Sequence, residues 1–173
     1  MSEEVDQDLY ELARRVGEGL QHRHLYLATA ESCTAGLVAA ALTAVPGSSA
    51  WFERGFVTYS NIAKQEMLGV SVETLRAHGA VSEATVREMA EGALHHSHAP
   101  AALAISGIAG PGGALPGKPV GTVCFAWTAL GLPVYCCSEY FAGEREAVRR
   151  QAVVRALRGV LELLAAWDLP RGV

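Results

Sequence analysis

Leu25-Tyr26-Leu27-Ala28-Thr29-Ala30-Glu31-Ser32-Cys33-Thr34-Ala35-Gly36 runs from apolar residues straight into a small polar cluster. The short apolar run Leu25–Ala30 reads as a buried strand. Thr34–Ala44 is rich in Ala, Leu and Val and stops before Pro46-Gly47. It predicts a helix that is apolar nearly all round and therefore well buried. The junction between them carries two adjacent nucleophile types, Ser32 and Cys33. The first N–H groups of a helix lack intrahelical partners and carry partial positive charge. A hydroxyl placed there can attack a carbonyl while neighbouring N–H groups hold the oxyanion. Ser32 can equally act as a plain helix cap, with Cys33 as a small buried hydrophobe. Local sequence does not decide between these roles.

Working outward, residues 6–20 place Leu9, Leu12, Ala13, Val16 and Leu20 at helical spacing. Phe52–Tyr59 reads as a strand and Ala63–Leu68 as a short helix ending at Gly69. Ser71–His78 and Glu83–His95 read as helices, with Ser71 and Ser82 as caps and Gly79 as a terminator. Ala101–Ser106 is a second short apolar run, leading into a glycine-rich loop. Thr122–Ala129 and Val134–Phe141 form an antiparallel hairpin around Gly131 and Pro133. Glu144–Trp167 is a final helix, with its acidic residues at the favourable end. Helices alternating with strands, then a hairpin, predict a three-layer α/β/α sandwich. Its sheet is expected to be mixed and mostly parallel. Residues 1–173 read as one domain.

The chain has 173 residues, half of them apolar and 18% charged, with a net charge of −4. That balance argues against a nucleic-acid binder relying on bulk positive charge. No run approaches the ~18 apolar residues of a membrane span. The acidic start Met1–Asp6 is neither a signal nor a transit peptide. The four cysteines, Cys33, Cys124, Cys136 and Cys137, show no CxxC or zinc-type spacing. They read as reduced thiols of a cytoplasmic protein, with Cys136 and Cys137 on opposite faces of one strand.

A nucleophile at residue 32 or 33 needs a base. No Ser-His-Asp set is evident. His95, His96 and His98 decorate a helix end rather than hold a metal. Lys64, one of two lysines among fourteen basic residues, follows Thr58-Tyr59-Ser60-Asn61 at a strand end. A desolvated lysine can lose its proton near neutral pH, and Tyr59 can relay that proton or orient the amine. Lys64 reads equally well as an exposed residue in a first helical turn. Ser106-Gly107-Ile108-Ala109-Gly110-Pro111 lets the backbone approach a ligand closely, or is a plain turn. It is neither a Walker A loop nor a dinucleotide motif. Arg145 stands near the start of the last helix. There it can meet a phosphate or carboxylate, or pair with Glu144 or Glu146 on a solvated face.

Several motifs occur in order along the chain: Ala30-Glu31-Ser32-Cys33-Thr34-Ala35-Gly36, Gly47-Ser48-Ser49-Ala50-Trp51-Phe52, Gly55-Phe56-Val57-Thr58-Tyr59-Ser60-Asn61 with Lys64, His78-Gly79-Ala80-Val81-Ser82, Ser106-Gly107-Ile108-Ala109-Gly110-Pro111 and Lys118-Pro119-Val120-Gly121-Thr122-Val123. Together they resemble the CinA C-terminal domain family, best its stand-alone members, the nicotinamide-nucleotide amidohydrolases. The resemblance implies hydrolysis of the carboxamide of nicotinamide mononucleotide (NMN) to nicotinic acid mononucleotide and ammonia, without metal or cofactor. It implies Ser32 as nucleophile and Lys64 with Tyr59 as its activating partners. Cys33, Thr34, Gly36, Ser106, Gly107, Gly110 and Arg145 would make up the substrate-binding set. Where the family often has Gly-Gly, this chain has Ala35-Gly36, and an ordinary helical φ is expected at Ala35. The loop Gly112–Pro119 is variable in the family. Longer members carry a further N-terminal domain with no counterpart in these residues, and none of its activities is expected here. A homo-oligomer, a dimer, is expected. The rival readings are a Cys33-dependent amidohydrolase and a non-catalytic nucleotide-binding module.

Overall fold

The apolar run beginning at Leu25 becomes strand β1, Leu27–Glu31, every residue of which is buried. The computed structural model describes residues 2–169, with side chains described from residue 7 onward, so the acidic start lies outside the described side chains. β1 sits between β2 (Phe52–Val57) and β3 (Ala101–Gly107) and is parallel to both. A strand flanked on both edges and covered on both faces has no solvent side, so it lacks polar alternation. β4 (Thr122–Ala129) and β5 (Tyr135–Tyr140) complete the sheet as the expected antiparallel hairpin, in the order β2-β1-β3-β4-β5. Four strands therefore run one way and β4 runs against them. The ladders divide evenly between parallel and antiparallel.

Among the described residues six α-helices cover the two faces. On one side lie α1 (Ser2–His22), α2 (Leu37–Thr43) and α6 (Arg145–Trp167). On the other lie α3 (Asn61–Leu68), α4 (Val72–His78) and α5 (Glu83–His95). The pleat sorts the core between them. Leu103 and Ile105 of β3 join Val16, Phe125, Trp127 and Leu157, whereas Ala102 and Ala104 join Val86, Met89 and Ala30. Cys136 and Cys137 separate to opposite faces in the same way, as expected. Small side chains on the α5 side let helices approach closely. A methyl group on Gly92 would come within 1.9 Å of the Leu68 carbonyl of α3.

Ser71 and Ser82 cap α4 and α5 through the backbone N–H groups of Thr74 and Thr85, as read from the sequence. The junction after β1 differs from expectation. β1 continues through Glu31, which pairs with both Val57 and Ile105. α2 begins only at Leu37, and its cap position is Gly36, with φ +93° and no side-chain cap. Ala35 has φ +50°, in the left-handed region rather than the helical one expected. For a residue with a Cβ that conformation costs roughly 1–2 kcal/mol. Surrounding hydrogen bonds hold it there, as described below.

Candidate active site

The chain leaves β1 through α2 to reach β2 on one side, and returns through α3, α4 and α5 to β3 on the other. Such a reversal opens a crevice at the carboxyl end of the central strand. Ser32 directly follows β1, Thr58 and Tyr59 follow β2, and Ser106 and Gly107 close β3. Three strand ends thus deliver the polar residues to one place. Ser32, Cys33, Tyr59, Lys64, Ala80, Val81, Ser106, Gly107, Ala109 and Arg145 line a cavity of about 210 Å³ there.

Lys64 lies in α3, whose start is fixed by the Ser60 hydroxyl accepting from the Ala63 N–H. It is 1% exposed, so the reading of an exposed first-turn lysine does not hold. Its Nζ lies 3.0 Å from Ser32 Oγ and donates to the Thr58 carbonyl at 2.8 Å. Among the described residues no carboxylate hydrogen-bonds the amine. Burial therefore dominates and lowers the Lys64 pKa to about 8. Roughly a tenth is the free amine at pH 7, within hydrogen-bond reach of a serine hydroxyl. Burial pushes the neighbouring Cys33 thiol up to about 12, so almost no thiolate forms there.

Ser32 is not a helix cap. That task falls to Glu31, a buried carboxylate that sequence reasoning missed. Its oxygens accept from Thr34 Oγ1 at 2.7 Å and from the N–H groups of Gly36, Val38 and Ala39 at 3.0, 3.1 and 2.9 Å. The positive end of α2 is thereby occupied, so an oxyanion cannot share it as the simple strand-to-helix picture supposed. Other donors of the turn are also committed. Ser32 N–H donates to the Ile105 carbonyl and Ala35 N–H to the Ser32 carbonyl. Among the described residues the Thr34 N–H has no acceptor, and the Cys33 N–H faces only its own thiol. Buried turn N–H groups without a backbone acceptor are rare, and here two adjoin the serine.

The Tyr59 hydroxyl accepts from Arg145 Nη2 at 2.9 Å and has no hydrogen bond to Lys64 or Ser32. Arg145 Nη1 donates to the Gly110 carbonyl at 2.8 Å, tying the glycine loop to the start of α6. The solvated ion pair of Arg145 with Glu144 or Glu146 is not formed. Ser106 is buried, and its hydroxyl donates to the Ala80 carbonyl at 2.7 Å, which fixes one wall. Thr34, Gly36 and Gly110 do not line the cavity. They act behind it, through Glu31 and Arg145. Ala80 and Val81 line it, yet as apolar residues before a capped helix they carry no chemical signal in sequence. Glu31 did carry one: a carboxylate ending an otherwise apolar buried strand must find several donors. Among the described residues no group of three His, Cys, Asp or Glu side chains is placed to hold a metal. No described helix is long and apolar enough to cross a membrane.

Comparison with known proteins bears on the same region. Residues 9–164 match the CinA C-terminal domain model. The nicotinamide-nucleotide amidohydrolase PncC of Escherichia coli (strain K12) is 54% identical over 154 residues, covering 89% of this chain and 93% of that protein. A protein of the same name from Pseudomonas putida is 52% identical, covering 88% and 94%. Among solved structures, the competence damage-inducible protein A (ComA) of Klebsiella pneumoniae subsp. pneumoniae MGH 78578 superposes with a TM-score of 0.89 at 45% identity. That match covers 92% of this chain and 99% of that one.

Proposed function

The chain belongs to the CinA C-terminal domain family, and from that premise we propose that it hydrolyses the carboxamide of NMN to nicotinic acid mononucleotide and ammonia, with Ser32 as nucleophile. The relatives named nicotinamide-nucleotide amidohydrolase support the substrate. The observation that carries the chemistry is the buried Lys64 amine, 3.0 Å from Ser32 Oγ and with its pKa lowered to about 8.

In this reading Lys64 Nζ takes the Ser32 hydroxyl proton as Oγ attacks the amide carbon. The pyridinium ring withdraws electrons from that carbon and favours attack. Negative charge builds on the former carbonyl oxygen and is met by the N–H groups of Cys33 and Thr34. Each such donor is typically worth about 3 kcal/mol to the transition state. The tetrahedral intermediate collapses, the C–N bond breaks, and protonated Lys64 gives its proton to the departing nitrogen, releasing ammonia. Water, deprotonated by the free amine, then cleaves the acyl ester and releases the acid. Arg145, held by Tyr59 and Gly110, binds the anionic part of the substrate at the cavity rim.

Ammonia release from NMN, NAD and nicotinamide tests the reading. The wild-type protein is expected to act on NMN. Ser32→Ala should lose on the order of 10⁴-fold or more in kcat, whereas Cys33→Ser should retain turnover. Unchanged turnover in Ser32→Ala would sink the serine mechanism. Loss in Cys33→Ser alone would favour the thiol. NMN binding without ammonia release would leave only a binding module.

A further inference from the structure

Arg149 of α6 grips the Ser32 turn from behind. Its Nε donates to the Cys33 carbonyl at 3.0 Å and its Nη2 to the Thr34 carbonyl at 3.0 Å. Each contact acts on a specific donor. In a trans peptide the C=O and the N–H of one planar unit point in opposite directions. Holding the Cys33 carbonyl therefore aims the Thr34 N–H away from Arg149. The Thr34 carbonyl shares its peptide with the Ala35 N–H, which donates to the Ser32 carbonyl at 3.1 Å. That carbonyl in turn shares its peptide with the Cys33 N–H. Both N–H groups next to Ser32 that lack a backbone acceptor thus belong to peptides whose carbonyls are engaged, one directly by the guanidinium and one through a single relay. A cation on the carbonyl end polarises the peptide and strengthens its N–H as a donor, and chained hydrogen bonds pass this on.

We propose that Arg149 is a positioning residue for amide hydrolysis, orienting and polarising the Cys33 and Thr34 N–H groups that receive the oxyanion. The proposal rests on the serine mechanism above. Arg149 does not line the Ser32 cavity. It borders a groove of about 670 Å³ between α2 and α6, with Leu37, Ala41 and Val153, and that groove shares only Arg145 as lining with the Ser32 cavity. It is therefore expected to act on the transition state and not on substrate affinity.

The test uses Arg149→Lys, Arg149→Met and Arg149→Ala, each first checked by thermal melting to be folded. Removing the guanidinium is expected to lower kcat for NMN by roughly 10- to 100-fold, with KM changed less than about threefold. Arg149→Lys, which reaches only one of the two carbonyls, should fall between wild type and Arg149→Met. The groove beside α2 and α6 gives a small cation access, so added guanidinium should restore part of the kcat of Arg149→Ala. A fluorophosphonate that labels Ser32 needs the nucleophile and the oxyanion donors but no nicotinamide nucleotide. Its labelling rate should fall in parallel with kcat. If labelling falls while even wild type leaves NMN intact, the role of Arg149 stands and the substrate assignment fails. Wild-type labelling and turnover in Arg149→Met would overturn the proposal, as would a raised KM at unchanged kcat.

Discussion

Lys64 concentrates the conflict between stability and chemistry at the scale of single residues. Its amine sits in a buried site that disfavours the charged form and lowers its pKa to about 8. Activity through the free amine should rise with pH and level off above about pH 8, visible as one ascending limb in kcat/KM for NMN. The stability consequence has a definite sign. Between about 8 and the ordinary lysine value of 10.5 the folded state holds fewer protons than the unfolded state. Stability therefore increases with pH across that window, and below it the full cost of a buried ammonium is present. Lys64→Met should be inactive yet more stable than wild type at pH 7, by roughly 1 kcal/mol or about 2–4 °C in Tm. The gain should shrink as pH approaches 10. A destabilised Lys64→Met at pH 7 would show that the hydrogen bond to the Thr58 carbonyl outweighs the burial cost.

Elements carry these residues to one another by close approach. α3 delivers Lys64, and its position depends on α5, where Gly92 leaves room for the Leu68 carbonyl. Gly92→Ala is expected to force the two helices apart, destabilising the fold by roughly 1–3 kcal/mol. It should also slow ammonia release, because Lys64 shifts relative to Ser32. Thermal melting and kcat on the same preparation check both effects, and an unchanged kcat would mean that α3 is held by other contacts. The turn between β1 and α2 is the other critical joint. Glu31 gathers four donors on one side while Arg149 holds two carbonyls on the other. That pair of grips explains how Ala35 tolerates φ +50° and why α2 starts three residues later than its composition suggests.

Across the whole molecule the sheet has an end that carries the proposed site and a supporting end. Trp127 belongs to the second: it stacks on Phe125 and donates from Nε1 to the Ala156 carbonyl at 2.9 Å. It pairs with Leu103, three residues along β3 from Ser106, or roughly 10 Å at strand rise. Trp127→Ala should cost about 3–5 kcal/mol while leaving kcat of the folded protein within about twofold. A matching loss of kcat would mean that the two ends are coupled. Much of this architecture was legible beforehand. Apolar runs near Leu27 and Leu103 marked the buried strands, and Ser71 and Ser82 marked helix starts, because patterning and capping depend on near neighbours. The ordered motifs around Ser32, Lys64 and Ser106, and Arg145 read at the start of the last helix, named residues that the fold brings to one cavity. Sequence alone left open whether Lys64 faced solvent, whether Ser32 was a cap, and what Glu31 and Arg149 did. Those answers depend on contacts between residues far apart in the chain, such as Lys64 with Ser32 and Arg149 with Cys33. Burial and donor matching exist only once the helices are packed on the sheet. The sequence by itself therefore determined the order of elements and named candidate groups, whereas the tertiary structure decided their burial, orientation and partners, because desolvation and peptide geometry are properties of the assembled fold.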